Sequence, residues 1–341
     1  MAERKRSVRL KDVAAHAGVS VATVSAVMRG LHDGSVRVGP ETRERVQNSI
    51  RELGYRPNRA AQALRTRRSG LVGIVVPDIT NPLFPQFVRA GQQRAEVDGV
   101  HAMVWDSCGE ASRERAAIAA LLDHQVDGVV LVTEHLGIED LAPLLDAGVP
   151  IGATDARLAD PRVDLVSEDL HAGAFAATSH LIEAGHRRLA HIAGDRTTTA
   201  GTIREQGFRD ALEANEIGVD EQLIVGGDTF ERDAGYTALT HLVELDDPPT
   251  AVLTSNDVLA IGALKACADR GIVVPDEIAL IGIDNTPEAD VAHPGLTTMD
   301  VHPHEVASKL TDIVIRRLNG TLTAPARREI VTPTLVARQS V

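Results

Sequence analysis

Aromatic residues are scarce in this 341-residue chain, at 2% of the total, although 43% of it is apolar. Any core must therefore be built from Ala, Val, Leu and Ile. Only two cysteines occur, Cys108 and Cys267. That excludes a disulfide-stapled scaffold and a cysteine-ligated zinc cluster. No apolar run approaches the roughly 18 residues that a membrane helix needs. The charged start, Met1–Arg6, has no apolar segment behind it. No secretory signal is expected, and the cytoplasm is the expected location. Several enzyme signatures are missing as well: the Gly-x-x-x-x-Gly-Lys phosphate loop, Gly-x-Gly-x-x-Gly after a strand, the Gly-x-Ser-x-Gly elbow and His-Glu-x-x-His. The histidines, His302 and His304 among them, form no ligand pattern with acids and read as surface or linker residues. No catalytic residue, cofactor or metal site is expected. The length suggests two or three domains.

What the chain does have is charge, unevenly placed. The whole sequence is formally −13. Residues 1–70 nevertheless hold 15 Lys and Arg against six Asp and Glu, a net of +9, while the remainder holds 20 against 42, a net of −22. A basic head on an acidic body is the asymmetry expected of a DNA-binding module fused to a second function. Charge alone leaves a purposeless basic tail as an equal possibility.

The pattern in the head favours the module. Leu10, Val13, Ala14 and Ala17 fall at helical spacing, which predicts a short helix over Lys11–Ala17 ended by Gly18. Ser20 is a good N-cap for a second helix over 21–28, with Val24, Val27 and Met28 on its apolar face. Two short helices joined by one glycine-containing turn make a helix-turn-helix. Gly30–Gly39 has no period and reads as a loop. Pro40 then suits the first turn of a third helix capped by Gly39, with Val46, Ile50 and Leu53 as its stripe and Gly54 as its stop.

These residues resemble the headpiece of the lactose-repressor (LacI/GalR) family of bacterial transcription regulators. The likeness rests on Leu10-Lys-Asp-Val-Ala-Ala-His-Ala-Gly-Val-Ser-Val-Ala-Thr-Val-Ser25, on Glu41-Thr-Arg-Glu-Arg-Val46 and on Leu53-Gly-Tyr-Arg-Pro-Asn-Arg-Ala-Ala-Gln-Ala-Leu64, and it runs on to Pro333–Arg338. It implies a headpiece over residues 8–57, a hinge helix and linker over 58–69, and an effector-binding and dimerisation core over 70–341. The second helix enters the major groove, with Val21, Ala22 and Ala26 toward base edges and Ser20, Thr23 and Ser25 toward phosphates. Many relatives carry Arg at the position of Ala26. Arginine can grip guanine bidentately, for about 1–3 kcal/mol of discrimination, and alanine cannot. Arg29 is the nearby candidate to contribute instead. Arg9 stands where relatives often have a capping Thr, and the loop after the second helix is longer than the family pattern. The operator sequence therefore stays open. Asn58–Arg65 resembles the hinge helix, with Asn58, Arg59 and Ala61 at the DNA and Leu64 matching the leucine wedged into the minor groove. Such a wedge kinks the duplex at a cost of a few kcal/mol.

The acidic body alternates apolar runs with helical stretches. Expected strands are Leu71–Val76, His101–Trp105, Gly128–Val132, Pro150–Ala153, Leu189–Ile192, Ala251–Leu253 and Ile278–Ile283. Their apolarity on both faces suits parallel sheets covered by helices. Helices such as Pro85–Asp98, Ser112–His124, Ala172–Ala184 and Val258–Arg270 lie between them, which makes an α/β chain long enough for two doubly wound lobes. The resemblance adds that the lobes are similar to periplasmic sugar-binding proteins, with crossovers near Glu168, Leu296 and Arg327. Lobe 1 is then about 70–167 with 297–327, and lobe 2 about 168–296 with 328–341.

Ligands in such sheets bind beyond the carboxyl ends of the strands. Asp78, Asn81, Asp106, Asp155, Asp257 and Asp284 fall there. An Asp after a strand is often only the N-cap of the next helix, which is the expectation for Asp78 and Asp106. By resemblance Arg204, Asp155 and Asp257 contact effector, Phe84 and Phe230 form walls, and Asp284 remains an open candidate. Carboxylates and an arginine over aromatic rings suit the vicinal hydroxyls of a sugar. The expected protein is a sequence-specific repressor, dimeric because the chain ends without an additional heptad helix, and switched by a sugar-like effector. The rival readings are a core that binds no effector, a sugar-processing enzyme, or a solute-binding protein, which the missing signal segment opposes.

Overall fold

The structure is a computed structural model that describes residues 8–33, 38–55 and 68–341 and leaves out the side chains of residues 29–33. The chain divides into two compact units, Met1–Gly70 and Leu71–Val341. Among the described residues no helix is long and apolar enough to cross a membrane.

The first unit holds α1 (Leu10–Ala17), α2 (Val21–Asp33) and α3 (Pro40–Leu53). Val13, Ala14, Ala17, Val24, Val27 and Val46 form its buried centre. Gly18 (φ 64°) ends α1 and Gly54 (φ 61°) ends α3, the left-handed conformation that glycine adopts without strain. α2 runs further than its apolar period, through residues expected to form a loop. Gly30 costs the helix about 1 kcal/mol relative to alanine, which weakens a helix without ending it.

The second unit contains two six-stranded sheets. In the first the order is β11-β5-β4-β3-β1-β2, with β1 Leu71–Val76, β2 His101–Asp106, β3 Gly128–Leu131, β4 Ile151–Ala153, β5 Val163–Glu168 and β11 Arg328–Val331. All of its pairs are parallel. In the second the order is β12-β10-β9-β8-β6-β7, with β6 Leu189–Ala193, β7 Ile224–Gly226, β8 Ala251–Thr254, β9 Ala279–Ile283, β10 Thr297–Asp300 and β12 Thr334–Val336. Only the β10–β12 pair is antiparallel. The central strands β3, β6, β8 and β9 are buried along their whole length, whereas the edge strand β2 is half exposed. This is why they are almost wholly apolar, with His191 in β6 and Thr254 in β8 as the polar exceptions.

Helices cover both faces of each sheet. α4 (Leu83–Val97) and α12 (Pro303–Leu318) share one core with the first sheet, and α5 (Ala111–Asp123) and α6 (Ala142–Asp146) share the other. On the second sheet α7 (Leu170–Glu183) and α8 (Thr199–Ala214) lie opposite α9 (Arg232–Val243), α10 (Asp257–Arg270) and α11 (Pro287–Val291). α8 is seated by two glycines. A β-carbon at Gly207 would lie 2.6 Å from the His171 carbonyl oxygen, and one at Gly201 would lie 2.0 Å from that of Asp195. Larger residues would push α8, and with it Arg204, away from α7 and from the loop after β6.

The chain crosses between lobes three times. The first crossing follows β5, as expected. The other two come later than the expected points near Leu296 and Arg327. Thr297–Asp300 pairs with β9, so it stays in lobe 2, and Arg328–Val331 pairs with β5, so it stays in lobe 1. Each segment adds a strand to its sheet before leaving, which satisfies backbone groups that a bare crossing would leave open. His302 is not a passive linker residue. It sits at the second crossing in the left-handed region (φ 54°), its amide donates to Asp300 Oδ1 (2.7 Å), and its Nε2 lies 3.1 Å from Thr334 Oγ1 beyond the third crossing.

Candidate functional sites

In the first unit α2 presents two unlike faces. Val24 and Val27 are fully buried, whereas Val21 is 46% exposed and Ala22 is exposed. Ser25 and Ala26, half-buried, fall on the same side as Val21 and Ala22 at helical spacing. Ser20 caps the helix: its hydroxyl accepts the Thr23 amide (3.0 Å) and lies 2.8 Å from the Thr23 hydroxyl. Arg9 makes no side-chain cap on α1, but its amide donates to Asp12 Oδ2 (2.7 Å), so the turn is still closed. The exposed start of α2 is therefore rigidly capped, apolar and small, with Lys11, Arg9 and Arg45 exposed elsewhere on the unit. Asn58, Arg59, Ala61 and Leu64, and the side chain of Arg29, lie outside the described residues.

In the second unit the carboxyl ends of both sheets face one cavity of about 730 Å³. Five of the six expected effector residues line it: Phe84, Asp155, Arg204, Phe230 and Asp284. Arg204, on α8, is 6% exposed. Its Nη1 donates to the Ser255 carbonyl oxygen (2.6 Å) and its Nη2 to Asp284 Oδ1 (3.1 Å), while Nε is buried without a partner. Asp284 follows β9 in an unusual backbone turn, with φ 125° at Asp284 and 53° at Asn285. The turn is held from outside the cavity. The Asp284 amide donates to Met299 O (2.8 Å), and Asn285 donates to Asp300 Oδ2 (3.0 Å) while accepting from Arg338 (2.8 Å). Non-glycine residues with such angles cost on the order of 1–3 kcal/mol each and persist only where surroundings fix them. Burial raises the Asp284 carboxyl above the usual carboxylate range, opposed by the Arg204 charge. Glu168, at the end of β5, is raised by burial in the same way.

Asp155 caps the short turn Ala156–Leu158 and pairs with Arg157 (2.6 Å). It also accepts the Thr199 hydroxyl (2.9 Å), a hydrogen bond from the first lobe to the start of α8 in the second. Phe84 is mostly core and Phe230 is half-buried. The ring of Phe230 lies over the backbone of Gly194, where a β-carbon would come within 2.0 Å of it.

The sixth expected residue, Asp257, is not on the cavity wall. It is fully buried behind it, with Oδ2 accepting the Thr286 amide (2.7 Å) and Oδ1 the Thr298 hydroxyl (2.6 Å). Burial, then the neighbouring Asp284 charge, pushes its pKa upward. The wall position beside it belongs to Asn256, whose side chain caps α10 by accepting the Leu259 amide (2.8 Å). Asp78 and Asp106 also differ from expectation. Neither caps a helix: Asp78 accepts the Thr80 amide and hydroxyl, and Asp106 accepts the Cys108 amide, each closing a local turn at the cavity rim.

Spacing gave no sign of Thr133 and Glu134. Both line the cavity after β3. Thr133 is 5% exposed and its hydroxyl has no partner. Glu134 is raised to about 7 by burial and by the negative charges of Glu114, Asp195 and Asp78, against the opposing effect of His135.

Residues 9–58 match the model of bacterial regulatory proteins of the lacI family, and residues 178–341 match that of a periplasmic binding protein-like domain. The ribose operon repressor of Halalkalibacterium halodurans is 33% identical over 333 residues, spanning 97% of this chain and 96% of that protein. A structure of the transcriptional regulator CelR with cellobiose superposes with a TM-score of 0.71 at 31% identity, covering 98% of this chain and 100% of that one. The lac repressor dimer bound to operator and an anti-inducer gives a TM-score of 0.83 at 26% identity, covering 98% and 99%. The chain belongs to the lacI family of bacterial regulatory proteins, which are DNA-binding regulators of transcription and not enzymes.

Proposed function

We propose that this protein is a cytoplasmic homodimeric repressor whose hold on its operator is set by a small polyhydroxylated effector in the core cavity. Residues 8–57 act as the DNA-reading headpiece, 58–69 as hinge and linker, and 70–341 as the sensor. The observation that carries this reading is Arg204, a guanidinium buried at the cavity wall with its Nε left without a hydrogen-bond partner. An unmet donor in a concave, mostly preformed site calls for an acceptor-bearing ligand.

In this mechanism Val21, Ala22 and Ala26 read base edges through small apolar contacts, and Ser20, Thr23 and Ser25 position the helix on phosphates. Arg29, Asn58, Arg59 and Ala61 add contacts to DNA, and Leu64 wedges the minor groove. Each half-site is weak alone, so two headpieces on a dimer are needed. In the core Arg204, Asp284 and Asp155 hold ligand hydroxyls, and Phe84 and Phe230 take the apolar face of the ring. Asp257 acts from behind, holding the turn that carries Asp284. Ligand changes the balance between open and closed lobes and so the pairing of the two hinges. A coupling of about 1–3 kcal/mol suffices to change operator affinity roughly 5–150-fold. The proteins named above carry the same pairing of DNA and sugar: a ribose operon repressor, and a regulator bound to cellobiose.

The test is to select duplexes from a random pool with the full chain, then follow binding by fluorescence anisotropy while titrating sugars. One or more sugars should shift operator affinity at least fivefold, and Arg204→Ala should abolish the shift. Tight operator binding that no small molecule alters would leave a regulator without an effector.

A further inference from the structure

The cavity walls are electrostatically one-sided. Asp78 and Glu134 come from the first lobe and Asp195, Asp228 and Glu231 from the second, and Arg204 is the only guanidinium or ammonium on the walls among the described residues. That arginine is already engaged with Asp284 (3.1 Å), and Asp155 is matched by Arg157 (2.6 Å). His171, the other basic side chain on the walls, is taken by Asp210 at 2.7 Å. Asp78 and Asp195 accept only the uncharged amides and hydroxyls of Thr80 and Thr197. The carboxylates of Glu134, Asp228 and Glu231 have no hydrogen-bond or ion-pair partner among the described residues.

Beside this concentration of negative charge lies the Thr133 hydroxyl, 95% buried and unpartnered. Across the cavity lies the free Nε of Arg204. One end of the site therefore lacks positive charge, and the other lacks an acceptor. A phosphorylated sugar answers the second need but worsens the first, because like charges brought together at a binding site cost several kcal/mol. An uncharged sugar answers only the second. A primary ammonium has three donors and no acceptor, which fits carboxylate oxygens.

We propose that the cavity selects a cationic polyhydroxylated ligand, an amino sugar or a short oligomer of one. Its ammonium sits among Asp78, Glu134 and Asp195, and its ring hydroxyls meet Arg204 and Asp284. This rests on the reading of the cavity as an effector site. The raised pKa of Glu134 agrees with the arrangement, since burial and the charges of Glu114, Asp195 and Asp78 outweigh His135. A bound cation reverses that balance, so Glu134 gives up its proton on binding near pH 7.

The experiment is calorimetry on the full chain at pH 7 with matched sets: glucosamine, galactosamine and mannosamine, each beside its parent hexose and its 6-phosphate, and cellobiose beside its 2,2′-diamino analogue. At least one amine should bind ten times more tightly than its parent, with the corresponding phosphate weaker than both. Its binding enthalpy should change with the ionisation enthalpy of the buffer, reporting proton release. Glu134→Gln combined with Asp195→Asn should erase the difference between amine and parent. Equal affinity for amine and parent throughout, tightest binding of a phosphate, or no binding across the panel overturns the proposal. A parent sugar that binds and shifts operator affinity without any preference for the amine would overturn the charge selection alone. An amine that binds as expected yet leaves operator affinity unchanged would instead remove the effector reading.

Discussion

Across residues 1–70 basic side chains outnumber acidic ones 15 to six, whereas across residues 71–341 acids outnumber bases 42 to 20. The two units also treat their polar groups differently. In the headpiece these are satisfied within the unit: Ser20 with Thr23 and Asp12 with the Arg9 amide at the surface, and His16 with the buried Ser49 at 3.0 Å. What remains at the start of α2 is a small apolar surface. In the core, charge is carried inward, and two polar atoms on the cavity walls, Arg204 Nε and Thr133 Oγ1, are left without partners. A surface field attracts any polyanion and fades with salt. A buried, half-satisfied set of groups is hardly screened and discriminates among ligands by what each leaves unpaired.

Salt is the strongest way to separate the two. Six or more phosphate contacts make operator affinity fall about 10³-fold between 50 and 200 mM salt. Effector affinity should change less than twofold over the same range. Anisotropy for the operator and calorimetry for the ligand check both, and a matching salt dependence would break the comparison. Arg204→Ala comes next. It leaves the buried Asp284 uncompensated, and truncating one partner of such a pair costs about 2–5 kcal/mol. Effector affinity should fall by 30-fold or more while operator affinity without ligand holds. Loss of both would assign Arg204 to folding.

The pH dependence of stability tests the inward charge directly. Glu134 is raised to about 7 in the folded chain, so the native state binds the extra proton. Its favourable contribution is complete below the unfolded pKa and is lost as pH rises through about 7. The core should therefore lose up to about 3 kcal/mol from this group between pH 4.5 and 7. Glu134→Gln should flatten that part of a denaturant-midpoint profile. The smallest effect belongs to the headpiece surface. Val21→Ala removes two methyl groups, about 1 kcal/mol of apolar contact, and should relax base preference at one operator position in a competitive selection.

How far these features were legible depended on what each residue has to do. The glycine-ended helices α1 and α3, the turn at Gly18 and most of the buried strands follow from local pattern, because period and capping are properties of neighbouring residues. The expected strands leave out β5, β7, β10, β11 and β12: β7, β11 and β12 are short and half-exposed, and polar residues (Asp164 and Ser167, Thr297 and Thr298) interrupt the mostly buried β5 and β10. Arg204 and Asp284 were found by likeness and by position after a strand. Asp257 was expected on the wall and lies behind it, since sequence locates a residue after β8 without saying which way its carboxylate turns. Glu134 and Thr133 follow an ordinary aliphatic strand. Their place at the cavity exists only because β3 is stacked between β1 and β4, an order that no spacing along the chain records.

The three crossings carry a consequence for how such a sensor changes through descent. Each sheet is assembled from separate stretches of the chain, so a recombination breakpoint between β1 and β12 would leave at least one lobe with strands from different parents, and one between β6 and β11 would mix both. The junction at Gly70 cuts no sheet. New pairings of operator and ligand can therefore arise in one step by exchange at that junction, whereas a new ligand preference within the core has to accumulate one substitution at a time along its walls.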